Sequence, residues 1–373
     1  MNILHDKTEE MSHTLNVSCL AGLVTSCKNH IGMMMTEHQK RKQVARSVTW
    51  IFVFGMVITG CYSPQADQNT TLQVIQIDTQ QNRRPISPLI YGVNWASTRQ
   101  IDELNSQFNR QGGNATSRYN WQHNASNRAR DWYFMSSGET VTTSGDLADR
   151  FIADTRAAGA EPTITMPMMD WLAKLGPDRT PLGSFSILKY GAQAGYEPKG
   201  NSDFGNGIRL DGQYVTGNDP NDAHMQVDLT YKREWVEHLV NRWGLAGSGG
   251  VHYYTLDNEP GIWHSTHRDV HPTGLRMQEL RDRIIGHAMM IKEVDPGALI
   301  IAPEEWGWTA FHHSGFDKQW GDTYGWQGQL PDQANNGGWL YLPWILDQMR
   351  QEHERTNKRV LDIFSVHFYP QGG

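Results

Sequence analysis

Three short segments of the chain end in residue types that make a poor core and a good reaction site. Residues 255–260 read Thr-Leu-Asp-Asn-Glu-Pro, residues 303–308 read Pro-Glu-Glu-Trp-Gly-Trp, and residues 365–370 read Ser-Val-His-Phe-Tyr-Pro. Each closes a segment that reads as a strand, so carboxylates, indoles, a histidine and a tyrosine would be presented together at strand ends. Cleavage of a glycosidic bond needs a proton for the departing oxygen and a carboxylate facing the oxocarbenium-like centre. Glu259, directly after Asn258, suits the first task. The amide can hold a sugar hydroxyl, and a half-buried carboxyl gains proton affinity. A lone Asn-Glu pair is ordinarily a solvated strand end. The proline that follows and Trp263 close behind favour chemistry here.

The elements that must position these residues alternate. Strand patterns occupy residues 89–95, 115–121, 162–168, 253–258, 298–306 and 361–369, and helical patterns fill 145–160, 229–243, 273–294 and 339–358. In the first helix Leu147, Phe151, Ile152 and Ala158 share one face, and Gly159 is a stop signal. Repeated strand–helix units imply an α/β fold with a parallel sheet, and at 373 residues a (β/α)8 TIM-type barrel, whose reactive groups sit at the C-terminal strand ends. Six strands are visible where closure needs eight. Residues 171–228, rich in Gly, Asn, Asp and Pro, read as a long loop over the barrel mouth. Strands seven and eight are therefore expected beyond Gly373, making the barrel incomplete here.

Four ordered motifs carry a resemblance. They are YGVN (91–94), RQGGNATSRYNWQHNASN (110–127), YTLDNEPGIWHSTHRDVHP (254–272) and PEEWGW (303–308). Together the sequence, from about residue 72 to 370, resembles glycoside hydrolase family 44, endoglucanases and xyloglucanases of a large barrel clan. The resemblance implies a catalytic barrel over 89–373 and a small β-sandwich, of which residues 72–88 supply the first strand. It implies retaining, two-carboxylate hydrolysis of β-1,4-glucan, cellulose-type or xyloglucan, with no catalytic cofactor. The acid/base falls on Glu259, with Asn258 on the sugar 2-OH. The nucleophile falls at the end of the seventh strand, which leaves Glu304 and Glu305 other work. Arg118 and Asn120, taken as second-strand residues, would frame the subsite of cleavage. Trp132, Trp308, His367 and Tyr369 are sugar platforms or donors, each with a packing alternative. Family 44 also implies structural metal ions, and the oxygen-rich run 218–222, with Asp219 and Asp222, could hold Ca²⁺ or be only a polar turn. A different class remains open: a glycan-binding surface lipoprotein without catalysis.

Composition agrees. The 14 Trp, 13 Tyr and 11 Phe exceed what a core of this size needs, and indole faces match the apolar faces of sugar rings. A net charge of −7 without a basic stripe argues against nucleic acid. The histidines at 264, 267 and 271 invite a zinc-hydrolase reading. However, His267 and His271 enclose Arg268-Asp269-Val270 with no glutamate base, and Pro272 breaks the helix such a site needs.

Residues 1–60 stand outside the fold. Lys40, Arg41, Lys42 and Arg46 precede an apolar run at 50–58, far short of the ~20 residues that span a bilayer. Ile58-Thr59-Gly60-Cys61 resembles a bacterial lipobox. Residues 1–60 then form a leader, with Met33, Met34 and Met35 as better starts than Met1. Residues 61–71 are the lipidated Cys61 and its tether. With Cys19 and Cys27 removed, no disulfide is available. The expected product is a secreted, cell-surface or outer-membrane lipoprotein, monomeric, held to the membrane by its lipid. Cys61→Ser should move the protein from the membrane to the soluble fraction. Persistence with membranes after a high-salt wash would contradict the anchor.

Overall fold

The computed structural model describes residues 78–369. The chain divides into Met1–Thr79 and Gln80–Gly373, and the account that follows is of the second unit. The leader, Cys61, its tether and residues 72–77 lie outside the described residues. No strand forms over 78–88; the stretch holds a turn and a bend and ends where a 3₁₀ turn begins at Pro88. No helix among the described residues is long and apolar enough to cross a membrane.

Six parallel strands form one sheet in chain order. They are β1 (Val93–Asn94), β2 (Phe108–Arg110), β3 (Glu161–Met166), β4 (Tyr253–Leu256), β5 (Leu299–Trp306) and β6 (Ile363–His367). A helix follows each of the first five: α1 (Thr98–Leu104), α2 (Asp146–Ala157), α3 (Leu229–Trp243), α4 (Met277–Val294) and α5 (Tyr341–Thr356). Local chemistry sets several of these boundaries. Ser97 and Gln100 close a capping box on α1, and Asp228 accepts from the Tyr231 N–H to start α3.

The strands alternate between two environments. Ile164, Met166, Tyr254, Leu256, Ile300 and Ala302 face the helices and pack with Phe151, Trp235, Leu239, Ile284 and Ile345 in the main core. Burial of each large side chain stabilises by about 1.5–3 kcal/mol. The opposite face carries Arg110, Thr163, Thr255, Ser365 and His367, which line one concavity of about 750 Å³ reached by all six strands. Leu89, Val93, Phe108, Ile301 and Ile363 share that lining, so the sheet curls around a mixed polar and apolar interior, as part of a barrel does.

Five of the six expected strands lie where the alternation of residues placed them. The second does not. Residues 115–121 hold a 3₁₀ turn (Thr116–Arg118), and the sheet strand is β2, upstream. Gly113, at φ +105°, turns the chain out of the sheet, and the Thr116 hydroxyl locks the turn by donating to the Gly113 carbonyl. Residues 171–228 add no strand to this sheet. Their short segments Trp171–Ala173 and Leu182–Gly183 pair antiparallel with His224–Gln226 and with Met135–Ser136.

Because Ile164 is fully buried between sheet and helices, Ile164→Ala should cost about 2–5 kcal/mol in urea unfolding. Leu188→Ala, at a side chain 90% exposed, should stay within about 0.5 kcal/mol.

Candidate active site

Four acidic side chains converge at the C-terminal ends of β4 and β5. Asp257 is fully buried and accepts hydrogen bonds from the Met168 N–H (2.5 Å) and the Asn258 N–H (2.8 Å), tying the end of β4 to the segment after β3. Burial pushes its carboxyl above the usual range. Glu259 follows in a left-handed conformation at φ 49°, and its N–H donates to the Glu304 carbonyl at 3.0 Å. Asp257 and Glu304 are left-handed as well, at φ 62° and 55°. Each such non-glycine residue costs of order 1–3 kcal/mol, a strain that concentrates at functional sites.

Glu304 and Glu305 separate because of a bulge. The pairing of β5 with β6 runs Pro303 to Ser365 and then Glu305 to Val366, so Glu304 is the extra residue. Glu304 turns into the concavity. Glu305 turns toward the helices, where it accepts from the Tyr341 hydroxyl of α5 (2.5 Å), the Gly261 N–H (3.0 Å) and the Trp306 N–H (3.2 Å). Gly261 must be glycine for this approach, since a Cβ there would lie 2.7 Å from Glu305 Oε2. Burial pushes the Glu305 carboxyl up to about 7, against the pull of these donors.

One imidazole links the other two glutamates. His367, at the end of β6, places Nδ1 2.7 Å from Glu259 Oε1 and Nε2 2.9 Å from Glu304 Oε2. Burial alone would discharge His367, but hydrogen bonds to the two carboxylates outweigh it and hold its pKa at about 9. Arg110, at the end of β2, closes the ring: its guanidinium lies 2.8 Å from Glu304 and donates to Asn258 Oδ1 at 2.9 Å. Burial would raise the Glu304 pKa, yet the His367 hydrogen bond and the Arg110 charge keep it below the ordinary carboxylate value. Asn258 in turn donates to Asn114 Oδ1 at 3.1 Å. A carboxyl beside an amide at the fourth strand end, bonded to His367 and Arg110 of the concavity wall, is equipped to exchange a proton with a bound hydroxyl or ether oxygen.

The sequence profile described as glycoside hydrolase family 44 matches residues 125–372. This chain belongs to that family. Endoglucanase A of Paenibacillus lautus is 33% identical over 316 residues, covering 80% of this chain and 40% of the relative. Among solved structures, CelM2, a bifunctional glucanase-xylanase from a metagenome library, is 54% identical with a TM-score of 0.77, over 78% of this chain and 56% of that one. A Paenibacillus polymyxa family 44 xyloglucanase is 28% identical with a TM-score of 0.58, over 80% and 55%. The chain thus spans about half the length of these solved relatives.

In this family 44 chain the remaining sequence candidates fall in different places. His367 and Tyr369 line the main concavity with Glu304. Trp308 is 54% exposed and stacks edgewise on Phe311 and Phe368. Trp132 is half-buried beneath Lys199, whose ammonium sits 4.9 Å from the ring centre. Arg118 and Asn120 lie past the end of β2, not on it, and both are fully buried. Arg118 Nη1 is 2.6 Å from Asp269, while its Nε and Nη2 are buried without a partner, and Asn120 bonds the Ala173 carbonyl and the Tyr231 hydroxyl. Asp219 accepts from Asn221, and Asp222 is held by Lys189 and Tyr190. Among the described residues no three His, Cys, Asp or Glu side chains are grouped to hold an ion. The histidines 264, 267 and 271 likewise form no metal group; His271 bonds Glu279.

Arg110 and Tyr341 were not singled out by the sequence reading. Arg110 had a signal, since it opens the motif at 110–127. Tyr341 had none, because its partner is chosen by the bulge.

Two titrations should shape stability. Folded Glu305 holds its proton to about 7 against 4.5 in a free carboxyl, so stability should fall as pH rises through that window. Folded His367 holds its proton to about 9 against 6.5, so its contribution is complete below 6.5 and lost by about 9. Thermal unfolding against pH should decline across both windows. Glu305→Gln should flatten the lower part and His367→Gln the upper.

Proposed function

We propose that this chain forms the catalytic part of a retaining endo-β-1,4-glucanase acting on cellulose-type glucan or xyloglucan. The observation that carries the reading is Asn258-Glu259 at the end of the fourth parallel strand, beside a concavity of about 750 Å³, in a family 44 chain. Relatives described as an endoglucanase, a glucanase-xylanase and a xyloglucanase support the substrate class.

In this reading Glu259 donates a proton to the departing glycosidic oxygen while a second carboxylate attacks the anomeric carbon. Glu259 then takes a proton from the water that releases the sugar. The Asn258 amide holds the sugar 2-OH, and His367 fixes Oε1 of Glu259, leaving its other oxygen for the proton. Neither Glu304 nor Glu305 serves as nucleophile. His367 lies between Glu304 and Glu259, where the anomeric carbon would have to fit, and Glu305 points into the helical layer. The nucleophile then belongs to a seventh strand. Two further strands would pair with the open edges, β1 and β6, and cover Ile363 and Phe364, which are 37% and 43% exposed. A small β-sandwich and lipid attachment at Cys61 complete the proposed protein.

In the protein expressed from the full-length gene, Glu259→Gln should lower reducing-end release from carboxymethylcellulose and xyloglucan by about 10²–10⁴-fold. Azide should restore part of the turnover on aryl glycosides with good leaving groups. Near-normal cleavage by the variant would overturn the assignment. Binding without any reducing-end release by the unmutated protein would identify a glycan-binding protein instead.

A further inference from the structure

A second concavity, of about 340 Å³, lies away from β6 and is lined by Arg130, Asp131, Trp132, Tyr133, Tyr214 and Arg268, among others. It is tied to the proposed acid/base by two side chains: Asn258 donates to Asn114 (3.1 Å), which donates to Asp131 Oδ2 (3.0 Å). Arg130 also donates to Ser265, on the short helix after Glu259, at 3.0 Å. A sugar seated here would be joined to, or close to, a glucan chain in the main cleft.

The charges of this cavity are unusual. Arg268 is only 7% exposed, its guanidinium carbon 4.3 Å from the Phe134 ring centre and 4.6 Å from that of Tyr214. One amino group donates to the Asn206 carbonyl at 2.6 Å, and its buried Nε has no partner. Arg130 is the second cation lining the same cavity. Among the described residues neither guanidinium has an ion-pair partner. Asp269, next in sequence, is taken by Arg118 at 2.6 Å, and Asp131 is held by Asn114. The other carboxylate nearby, Glu197, is buried and engaged by the Lys199 and Asn201 N–H groups. Burial disfavours the Arg268 cation and the Arg130 charge adds to that, while Tyr214 and Asp269 offset only part of it. An incoming carboxylate would relieve both. The wall segment is also held under strain, with Ala129, Tyr133 and Phe134 all at positive φ (54°, 50° and 49°).

Aromatic walls suit the C–H face of a pyranose, and guanidinium groups suit a planar carboxylate. We propose that this cavity is a subsite for a uronic acid unit carried as a branch on the bound polysaccharide, read by Arg130 and Arg268. The inference rests on the glucanase reading for the polymer in the main cleft, but not for the carboxylate recognition itself.

Calorimetry on the protein expressed from the full-length gene can use three probes: xylotetraose bearing one glucuronic acid branch, unbranched xylotetraose, and free glucuronate, with cellotetraose as the neutral reference. The branched acid should bind about tenfold or more tighter than its unbranched counterpart, as charge-assisted hydrogen bonds imply. That advantage should shrink with added salt and vanish in Arg130→Gln, whose exposed side chain can be changed without touching the core. Arg268→Gln should also remove it where the variant folds by circular dichroism. Free glucuronate binding with the same Arg130 dependence, while cellotetraose fails to bind, would sustain the uronate site and count against the glucan reading. Equal binding of branched and unbranched xylotetraose, or an advantage that survives Arg130→Gln, would overturn the proposal.

Discussion

Negative charge gathered out of water must be answered group by group, and that requirement organises the C-terminal rim of this sheet. Asp257, Glu259, Glu304 and Glu305 lie on two adjacent strand ends, and all are nine-tenths buried or more. Each is answered differently. Asp257 takes backbone donors, Glu259 and Glu304 share one imidazolium, Glu304 also takes Arg110, and Glu305 relies on Tyr341 and two N–H groups. Among the described residues Glu259 depends on His367 alone, and removal of that imidazolium would leave a buried carboxylate unpaired, a defect of roughly 3–5 kcal/mol. The strand ends, the bulge and the helix carrying Tyr341 are therefore bound to one another through these four acids.

Three left-handed residues are part of the same arrangement. Asp257, Glu259 and Glu304 hold a backbone shape that ordinary residues avoid, and they hold it where the carboxylates must turn inward. The outer face of the sheet offsets the cost. Ile164, Tyr254, Leu256 and Ile300 pack without exposure against the helices, so the strands are fixed before their ends are bent. The positioning of Glu259 is thus a property of the core as much as of the rim.

Much of this was legible in the residues. The strand–helix alternation found β3 to β6 and their helices, and the motifs at 255–260 and 303–308 marked the rim. What escaped depends on contacts distant in sequence. β2 is three residues long with no alternating run to reveal it, and the stronger pattern at 115–121 belongs to a turn set by Gly113. Two adjacent glutamates look equivalent in sequence, and only the bulge sends one to the cleft and the other to the helices.

In the proposed mechanism neither Glu304, bound by His367 and Arg110, nor Glu305, turned into the helical layer, attacks the sugar. A 2-deoxy-2-fluoro cellobioside with a good leaving group would trap the covalent glycosyl-enzyme of a retaining hydrolase, and peptide mass spectrometry of the full-length protein would locate the label. The account predicts a labelled glutamate that is neither Glu304 nor Glu305, with Glu259 unlabelled. A label on Glu304 or Glu305 would contradict it.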